Sequence, residues 1–419
     1  GYSRLAWRRH CAHHARRDET VSTRREQMNW TKRVGYRRVA LLLWGVPLLA
    51  ITVMVVRRPT HRSVTPVYHR CVQHWMSEAP LYANPLEYNY PPCFPLVFAP
   101  FRWLPAPLGD VLWRWMAWVL IATGLWKLLR GSEREFLAAS ALAIPLSLGA
   151  LRNGQANALL AGLLLHAAAA LQRERWMQAA FCAAVAAAVK PFALAFGLLA
   201  ILLYRKTFWP LVAGLCVAAL LPFAFGSHGY VVGEYRAFVA NLGACANPAE
   251  HRFADVAGLL RSLGVELSPA VSAVARTVAA VAVALLWGVT APRLTEPSRA
   301  CWLLLLAVTY LMLFNPMTET NSYVLAAPAM AVWSVHTLRE PATRRLGWTL
   351  VTIILATSAF APFRARFKLF WYPTMTACFT AVVAVLLLRH RIWQRPVHPQ
   401  HQPCAQTAGS NVDSPNSLP

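Results

Sequence analysis

The chain has 419 residues, of which 57% are hydrophobic and only 14% are charged, and its formal net charge is +24. Soluble domains carry about a quarter charged residues, so this composition excludes a soluble globular protein, as well as the collagenous, disordered and disulfide-scaffold classes. The basic residues lie mostly in short bridges between apolar stretches, which is typical of a membrane protein and argues against a nucleic-acid partner. The nine cysteines form no CxxC pair and no metal-ligand pattern. The composition therefore predicts a polytopic helical membrane protein.

The N-terminal segment, residues 1–37, is basic and has no apolar core, so it is not a secretory signal. Its first methionine is Met28. A start codon assigned too far upstream would explain the absence of an earlier methionine, so residues 1–27 contribute little to the interpretation. We expect residues 1–37 to be cytoplasmic and residues 38–390 to form the transmembrane domain. The tail 391–419 lacks apolar periodicity, and we expect it to be a disordered cytoplasmic segment.

Thirteen apolar runs follow the N-terminal segment. They are 38–56, 93–105, 108–128, 135–151, 156–171, 176–189, 191–204, 207–226, 270–290, 300–314, 322–337, 346–361 and 374–388. The run 93–105 would reach only about 20 Å as a helix and contains Pro95, Pro100 and Arg102, so we interpret it as a re-entrant or interfacial segment. If the other runs cross with the N-terminus inside, most Lys and Arg residues lie on the inner side, as the positive-inside rule requires. The sequence thus predicts an all-α bundle of about twelve spanning helices with both termini cytoplasmic.

Three polar turns interrupt the apolar runs on the predicted outer face, where ionisable groups mark candidate sites. Residues 152–157 (RNGQAN) would either bind a sugar or phosphate or simply satisfy the backbone at two helix ends. Lys190 stands before a helix-breaking proline, and its ammonium would either reach the interface or bind a phosphate. The turn 315–323 carries one charge, Glu319, which is either a solvated loop acid or a functional carboxylate.

Two long outer loops, 57–92 and 227–269, complete the predicted topology. The first carries four arginines against the positive-inside tendency, namely Arg57, Arg58, Arg62 and Arg70. Cations on this side indicate an anionic ligand. The tyrosines and histidines of the same loop are either interfacial anchors or part of a site for a lipid-phosphate headgroup that carries a sugar.

These motifs resemble glycosyltransferase family 87, the polyprenol-phosphate-mannose-dependent mannosyltransferases of the GT-C superfamily. The elements that carry the resemblance are Val67-Tyr68, Pro80-Leu81-Tyr82, Tyr90-Pro91-Pro92, Gly154-Gln155-Ala156-Asn157, Lys190-Pro191 and Asn315-Pro316 followed by Tyr323. The resemblance implies a GT-C-like fold and transfer of a hexose, above all mannose, from a polyprenyl-phosphate donor to a hydroxyl of a glycolipid or glycan acceptor. Transfer would invert the anomeric carbon with a general base, without metal or cofactor, at the outer face of a bacterial plasma membrane.

The chain departs from the family at the position of the base. The family's aspartate, expected three residues before the Val-Tyr pair, falls at Val64, and Asn321-Ser322 stand where a histidine pair is common. The carboxylates left in the first outer loop and in the motif-bearing turns are Glu78, Glu87 and Glu319. We assign the base to Glu319, which lies in a motif-bearing turn, with Glu78 as the second candidate.

The remaining site residues are assigned to the donor's phosphate and sugar. They are Arg62, Arg152, Asn153, Gln155, Asn157, Lys190, Asn321 and Tyr90. Two other classes stay open, namely a lipid or solute transporter or flippase and a non-catalytic relative of the family. The lack of an internal repeat and the two long outer loops argue against a transporter.

Overall fold

The computed structural model describes residues 35–84, 87–246, 253–359 and 365–389. Most of the predicted N-terminal segment and the whole predicted tail 391–419 lie outside these ranges. The described residues form an all-helical structure without β-strands.

The helices follow the predicted apolar runs. In chain order they are α1 (Gly35–Arg57), α2 (Thr65–Met76), α3 (Phe94–Arg102), α4 (Leu108–Leu128), α5 (Glu133–Asn153), α6 (Ala156–Leu171), α7 (Trp176–Val189), α8 (Leu194–Leu203), α9 (Phe208–Leu220), α10 (His228–Cys245), α11 (Val256–Ser262), α12 (Pro269–Thr290), α13 (Glu296–Phe314), α14 (Ala326–Arg339), α15 (Arg344–Ala359) and α16 (Ala365–Arg389). Each apolar run coincides with one of these helices, whereas α2, α10 and α11 lie in the two long loops that the sequence predicts to be outer.

Burial divides the helices into a centre and a periphery. All 16 residues of α6 are buried, and so is 83% of the apolar window of α13, whereas the corresponding fraction is 17% for α1 and 11% for α12. The side chains that α12 exposes are nevertheless apolar, among them Val271, Val274, Val278, Val281, Leu285 and Val289. A helix that is apolar on all sides and exposed on one requires lipid around it. The predicted membrane helical bundle is therefore confirmed.

By length and composition, fewer of the described helices qualify as membrane spans than the roughly twelve that the sequence predicts. Within the described ranges, six helical segments are long and apolar enough to cross a membrane, namely α1, α5, Arg205–Ala224, α12, α13 and Phe370–Arg389. Helices α6, α7 and α8 are apolar but shorter, and the 16 residues of α6 reach only about 24 Å against about 30 Å of hydrocarbon. The count of about twelve crossings, which treats every apolar run as a span, stays a prediction. The nine residues of α3 reach about 14 Å, too short to cross.

Close packing of α4 on α6 fixes how these two helices align. Gly162 of α6 lies where the helices meet, and a Cβ atom at this position would stand 2.6 Å from the Cβ atom of Leu120. Small residues of this kind let two helix backbones approach within a membrane. The start of α4 consequently lies beside the turn between α5 and α6, which carries the polar motif 152–157.

Candidate functional site

The polar motif 152–157 forms a tight turn that joins α5 to α6. Gly154 has a φ of 75° in the left-handed region, and its N–H donates to the carbonyls of Ala150 and Leu151, which ends α5. Gln155 returns to an extended conformation and precedes the first residue of α6. Because two helices meet across so few residues, their polar side chains emerge together at one end of the bundle.

Arg114 of α4 holds this turn from one side. Its guanidinium is 2% exposed and donates to the carbonyls of Asp110 at 2.8 Å, Leu151 at 3.1 Å and Arg152 at 3.2 Å. A fourth hydrogen bond, of 2.8 Å, reaches the hydroxyl of Ser63. A Cβ atom at Gly154 would stand only 2.7 Å from the guanidinium, so glycine is required here on two counts. The buried arginine thus satisfies the carbonyls at the C-terminal end of α5.

Amide and carboxylate side chains meet on the other side of the turn. Gln155 Nε2 donates to Glu319 Oε2 at 2.5 Å, and Asn157 Nδ2 donates to Gln155 Oε1 at 3.2 Å and to Ser322 Oγ at 3.0 Å. Glu319 and Ser322 form a reciprocal capping box at the start of the short 3₁₀ helix Thr320–Val324. Glu319 is exposed, whereas Gln155 and Asn157 are buried. The arrangement therefore presents an oriented carboxylate to the solvent.

Lys190 lies at the break between α7 and the segment that begins with Pro191. Its Nζ atom stands 4.8 Å from the centroid of the Tyr90 ring, and the charge of Glu319 acts on it. The Tyr90 and Tyr68 hydroxyls are 2.5 Å apart, and the Tyr68 oxygen also accepts from the N–H of Ala156 at 3.2 Å. Burial raises the pKa of both phenols well above their usual range, so both remain protonated. We call the group of Glu319, Lys190, Gln155, Asn157 and Tyr90 the Glu319 cluster.

The other residues assigned from sequence lie outside this cluster. Arg152 and Asn153 face the linker between α1 and α2, where Arg152 Nη2 is 3.4 Å from His61 Nδ1 and Asn153 Nδ2 donates to the carbonyl of Arg62 at 3.2 Å. The side chain of Arg62 is exposed. Asn321 packs against α5, since a Cβ atom at Gly149 would stand 2.6 Å from its Oδ1 atom.

Glu78, the second candidate for the base, lies at the far end of α2. Its carboxylate accepts from the N–H and the hydroxyl of Ser227, both at 2.8 Å, and so binds the residue that precedes α10. These hydrogen bonds lower the pKa of Glu78, which makes its carboxylate a weaker proton acceptor. Of the two candidates, only Glu319 has a lysine and two amide side chains in its surroundings.

Three residues of this region were not assigned to the site from sequence. Tyr68 belongs to the Val67-Tyr68 motif, and its role in linking α6 to Tyr90 appears only in the fold. Arg114 lies inside an apolar run. An ionisable residue within such a run is the sequence feature that could have identified it as a site residue. Asp110 is buried in the first turn of α4 and bonded to His69 Nε2 at 2.9 Å. Val64, where the sequence resemblance predicts the family's aspartate, donates its N–H to the carbonyl of Asn153 at 2.9 Å, directly beside the turn.

Fold and site together define a polytopic helical membrane protein whose polar residues gather where helix ends meet. The sequence profile of Glycosyltransferase family 87 matches residues 88–317, more than half of the chain. The chain belongs to this family, so the predicted resemblance is confirmed, and the protein is a membrane glycosyltransferase. The match covers Tyr90, the turn 152–157 and Lys190 and ends two residues before Glu319. A search among curated proteins finds no significant match.

Proposed function

We propose that this glycosyltransferase transfers a hexose, with mannose as the expected sugar, from a polyprenyl-phosphate donor to a hydroxyl of a glycolipid or glycan acceptor. The observations that carry the proposal are an exposed, hydrogen-bonded carboxylate, Glu319, and a half-buried ammonium, Lys190, on which the charge of Glu319 acts, both at the ends of apolar helices. A lipid monophosphate needs one cation, and an acceptor hydroxyl needs one base. The Glu319 cluster supplies one of each.

The proposed reaction is a single displacement. The acceptor oxygen forms a bond to the anomeric carbon while the bond from that carbon to the phosphate oxygen breaks. The phosphate leaves with the electron pair as lipid monophosphate beside Lys190, and the hydroxyl proton goes to the carboxylate of Glu319. Attack from the face opposite the leaving group inverts the anomeric carbon. Gln155 orients the carboxylate, whose remaining lone pairs are available to the acceptor.

The proposal includes a location and an orientation for the site. Both termini are cytoplasmic, the loops 57–92 and 227–269 and the Glu319 cluster lie on the outer side of a bacterial plasma membrane, and residues 38–390 form the catalytic domain. The distribution of basic residues supports this orientation. One observation favours a non-catalytic relative instead, because Val64 stands where the family has its aspartate and Glu319 also caps a helix.

Sugar transfer by the purified protein tests the proposal directly. The protein is incubated with a series of polyprenyl-phospho-sugars and with membrane lipid extract, and the products are analysed by mass spectrometry and NMR. We expect a glycosylated lipid or glycan with inverted anomeric configuration, together with free polyprenyl phosphate. Donor consumption that equals the protein-free control for every sugar would contradict the enzymatic proposal and favour the non-catalytic relative.

Lys190→Ala should weaken donor binding more than it slows the chemical step. A hydrogen bond to a charged group contributes about 1.5–3 kcal/mol, so the donor KM should rise about 10- to 100-fold with a smaller change in kcat. Lys206→Ala is the matched control, because Lys206 Nζ stands 5.8 Å from the Trp176 ring centroid at the opposite end of the α7–α8 pair. Steady-state kinetics with varied donor measures both constants. An unchanged donor KM in Lys190→Ala would refute this role.

A further inference from the structure

A cavity with a mixed basic, polar and apolar lining lies beside the 152–157 turn, on the side of Arg152 and Arg114. This cavity of about 330 Å³ is bounded by the end of α1, the α1–α2 linker and the end of α5. Its lining combines basic, polar and apolar side chains, namely Met54, Val55, Arg57, Arg58, Pro59, His61, Ser63, Arg114 and Arg152. We call it the arginine cavity. None of these lining residues is a carboxylate, and none belongs to the Glu319 cluster.

The positive charge of the arginine cavity has no protein counterpart in the described part of the chain. There, no acid lies within ion-pairing distance of Arg57, Arg58 or Arg152. Arg114 differs from these three arginines, because Asp110 interacts electrostatically with it. Its N–H groups also donate to backbone carbonyls and to the Ser63 hydroxyl. The partial negative charge of a helix C-terminus accounts for one cation at each of the ends of α1 and α5, not for three around one hollow. A bound anion relieves the electrostatic repulsion among these clustered arginines.

The apolar part of the lining indicates that this anion is carried by a lipid. Met54 and Val55 lie in the last turn of α1, and neighbouring α1 residues such as Val53 and Val56 expose 43% and 54% of their surface. An exposed apolar helix surface faces hydrocarbon in a membrane protein. The arginines Arg57 and Arg58 directly follow this surface, so the cavity opens at the depth of the headgroups.

We propose that the arginine cavity binds the phosphate of an anionic phospholipid that is distinct from the sugar donor. Phosphate is a preferred ligand of arginine because the guanidinium presents several donors in a planar fork. Arg152 and Gln155 are three residues apart, so their Cα atoms are separated by at most about 11 Å. A headgroup held in the cavity thus lies beside the turn that carries Gln155, the hydrogen-bond partner of Glu319. Under the proposed function this is the position of a phosphate-bearing lipid acceptor, while the binding itself does not depend on sugar transfer.

Native mass spectrometry of the full-length delipidated protein, titrated with phosphatidylglycerol, tests the proposal. Each basic residue near a headgroup contributes about a fivefold effect, so Arg57→Gln/Arg58→Gln should weaken the tightest lipid-binding step about 10- to 30-fold. Both side chains are exposed, so the unfolding temperature should not change. The charge-matched control Arg102→Gln/Arg236→Gln removes two exposed arginines outside the cavity and should keep wild-type affinity. The single variant Arg58→Gln, with about a fivefold loss expected, gives the same comparison if the double variant does not purify.

Competition separates the possible ligands. Neither inorganic phosphate nor polyprenyl phosphate should displace phosphatidylglycerol from the tightest site at equal concentration. Displacement by inorganic phosphate would identify a site for a free anion, and displacement by polyprenyl phosphate would identify the donor's own phosphate site. Either result would overturn the proposal, as would equal losses of affinity in the two double variants. The sugar-transfer assay has its own readout, so failure of the proposed function is distinguishable from failure of the lipid site.

Discussion

Glu319→Gln is expected to reduce sugar transfer by about 10²- to 10⁴-fold, the usual contribution of a general base. The amide has the shape of the carboxylate, and its oxygen can still accept from Gln155 Nε2 and from the backbone N–H of Ser322. It cannot accept the proton of the acceptor hydroxyl. We therefore expect kcat to fall while the thermal unfolding midpoint in detergent stays near that of the wild type.

A second carboxylate variant controls for the loss of one negative charge from the protein. Glu87 is bonded to Arg70 and Asn84 in the first outer loop, and Glu87→Gln should leave kcat unchanged. The measurement is initial transfer rate at saturating donor for each purified variant. Wild-type kcat in Glu319→Gln would reject the base assignment. A large loss in Glu78→Gln instead, with its unfolding midpoint preserved, would transfer the assignment to the other candidate.

The helices were predictable because lipid burial produces long apolar runs in the sequence. Helix α2 was not predictable in this way. Its buried positions Thr65, Tyr68, Val72 and Trp75 are spaced three or four residues apart within a polar segment. Such an amphipathic pattern resembles a solvated loop until its partner is known. The number of crossings was harder still. Composition marks α6 and α7 as apolar, but it does not reveal whether a helix of 14 or 16 residues crosses the bilayer or ends inside the bundle.

The individual motifs of the site were predictable from the sequence, but their arrangement in space was not. The turns at 152–157, Lys190 and Glu319 were recognisable because each interrupts apolar sequence with groups that a membrane tolerates poorly. Their grouping depends on tertiary contacts, and Gln155 and Glu319 are 164 positions apart. The same limit applies to Glu78. The sequence ranks it below Glu319 only because Glu319 lies in a motif-bearing turn, whereas the hydrogen bonds of Glu78 to Ser227 appear only in the fold.

Arg114→Met should destabilise the protein by about 3–5 kcal/mol, the range observed when one partner of a buried charged network is removed. The substitution leaves the carbonyls of Leu151 and Arg152 without their guanidinium donors and Asp110 without its neighbouring cation. Arg114→Lys keeps the charge but has no planar fork of donors, so it should restore only part of the stability. The measurement is the thermal unfolding midpoint of the purified protein in detergent.

The effect of Arg114→Met should extend to catalysis, because the turn that Arg114 holds also carries Gln155, whose amide orients Glu319. At a temperature where the variant stays folded, kcat should therefore fall even though Arg114 does not belong to the Glu319 cluster. Arg102→Met, at the exposed end of α3, is the control and should change stability by less than about 0.5 kcal/mol. Wild-type stability in Arg114→Met would mean that the turn is held by its own backbone hydrogen bonds and by Trp113 Nε1, which donates to the Gly154 carbonyl at 2.8 Å.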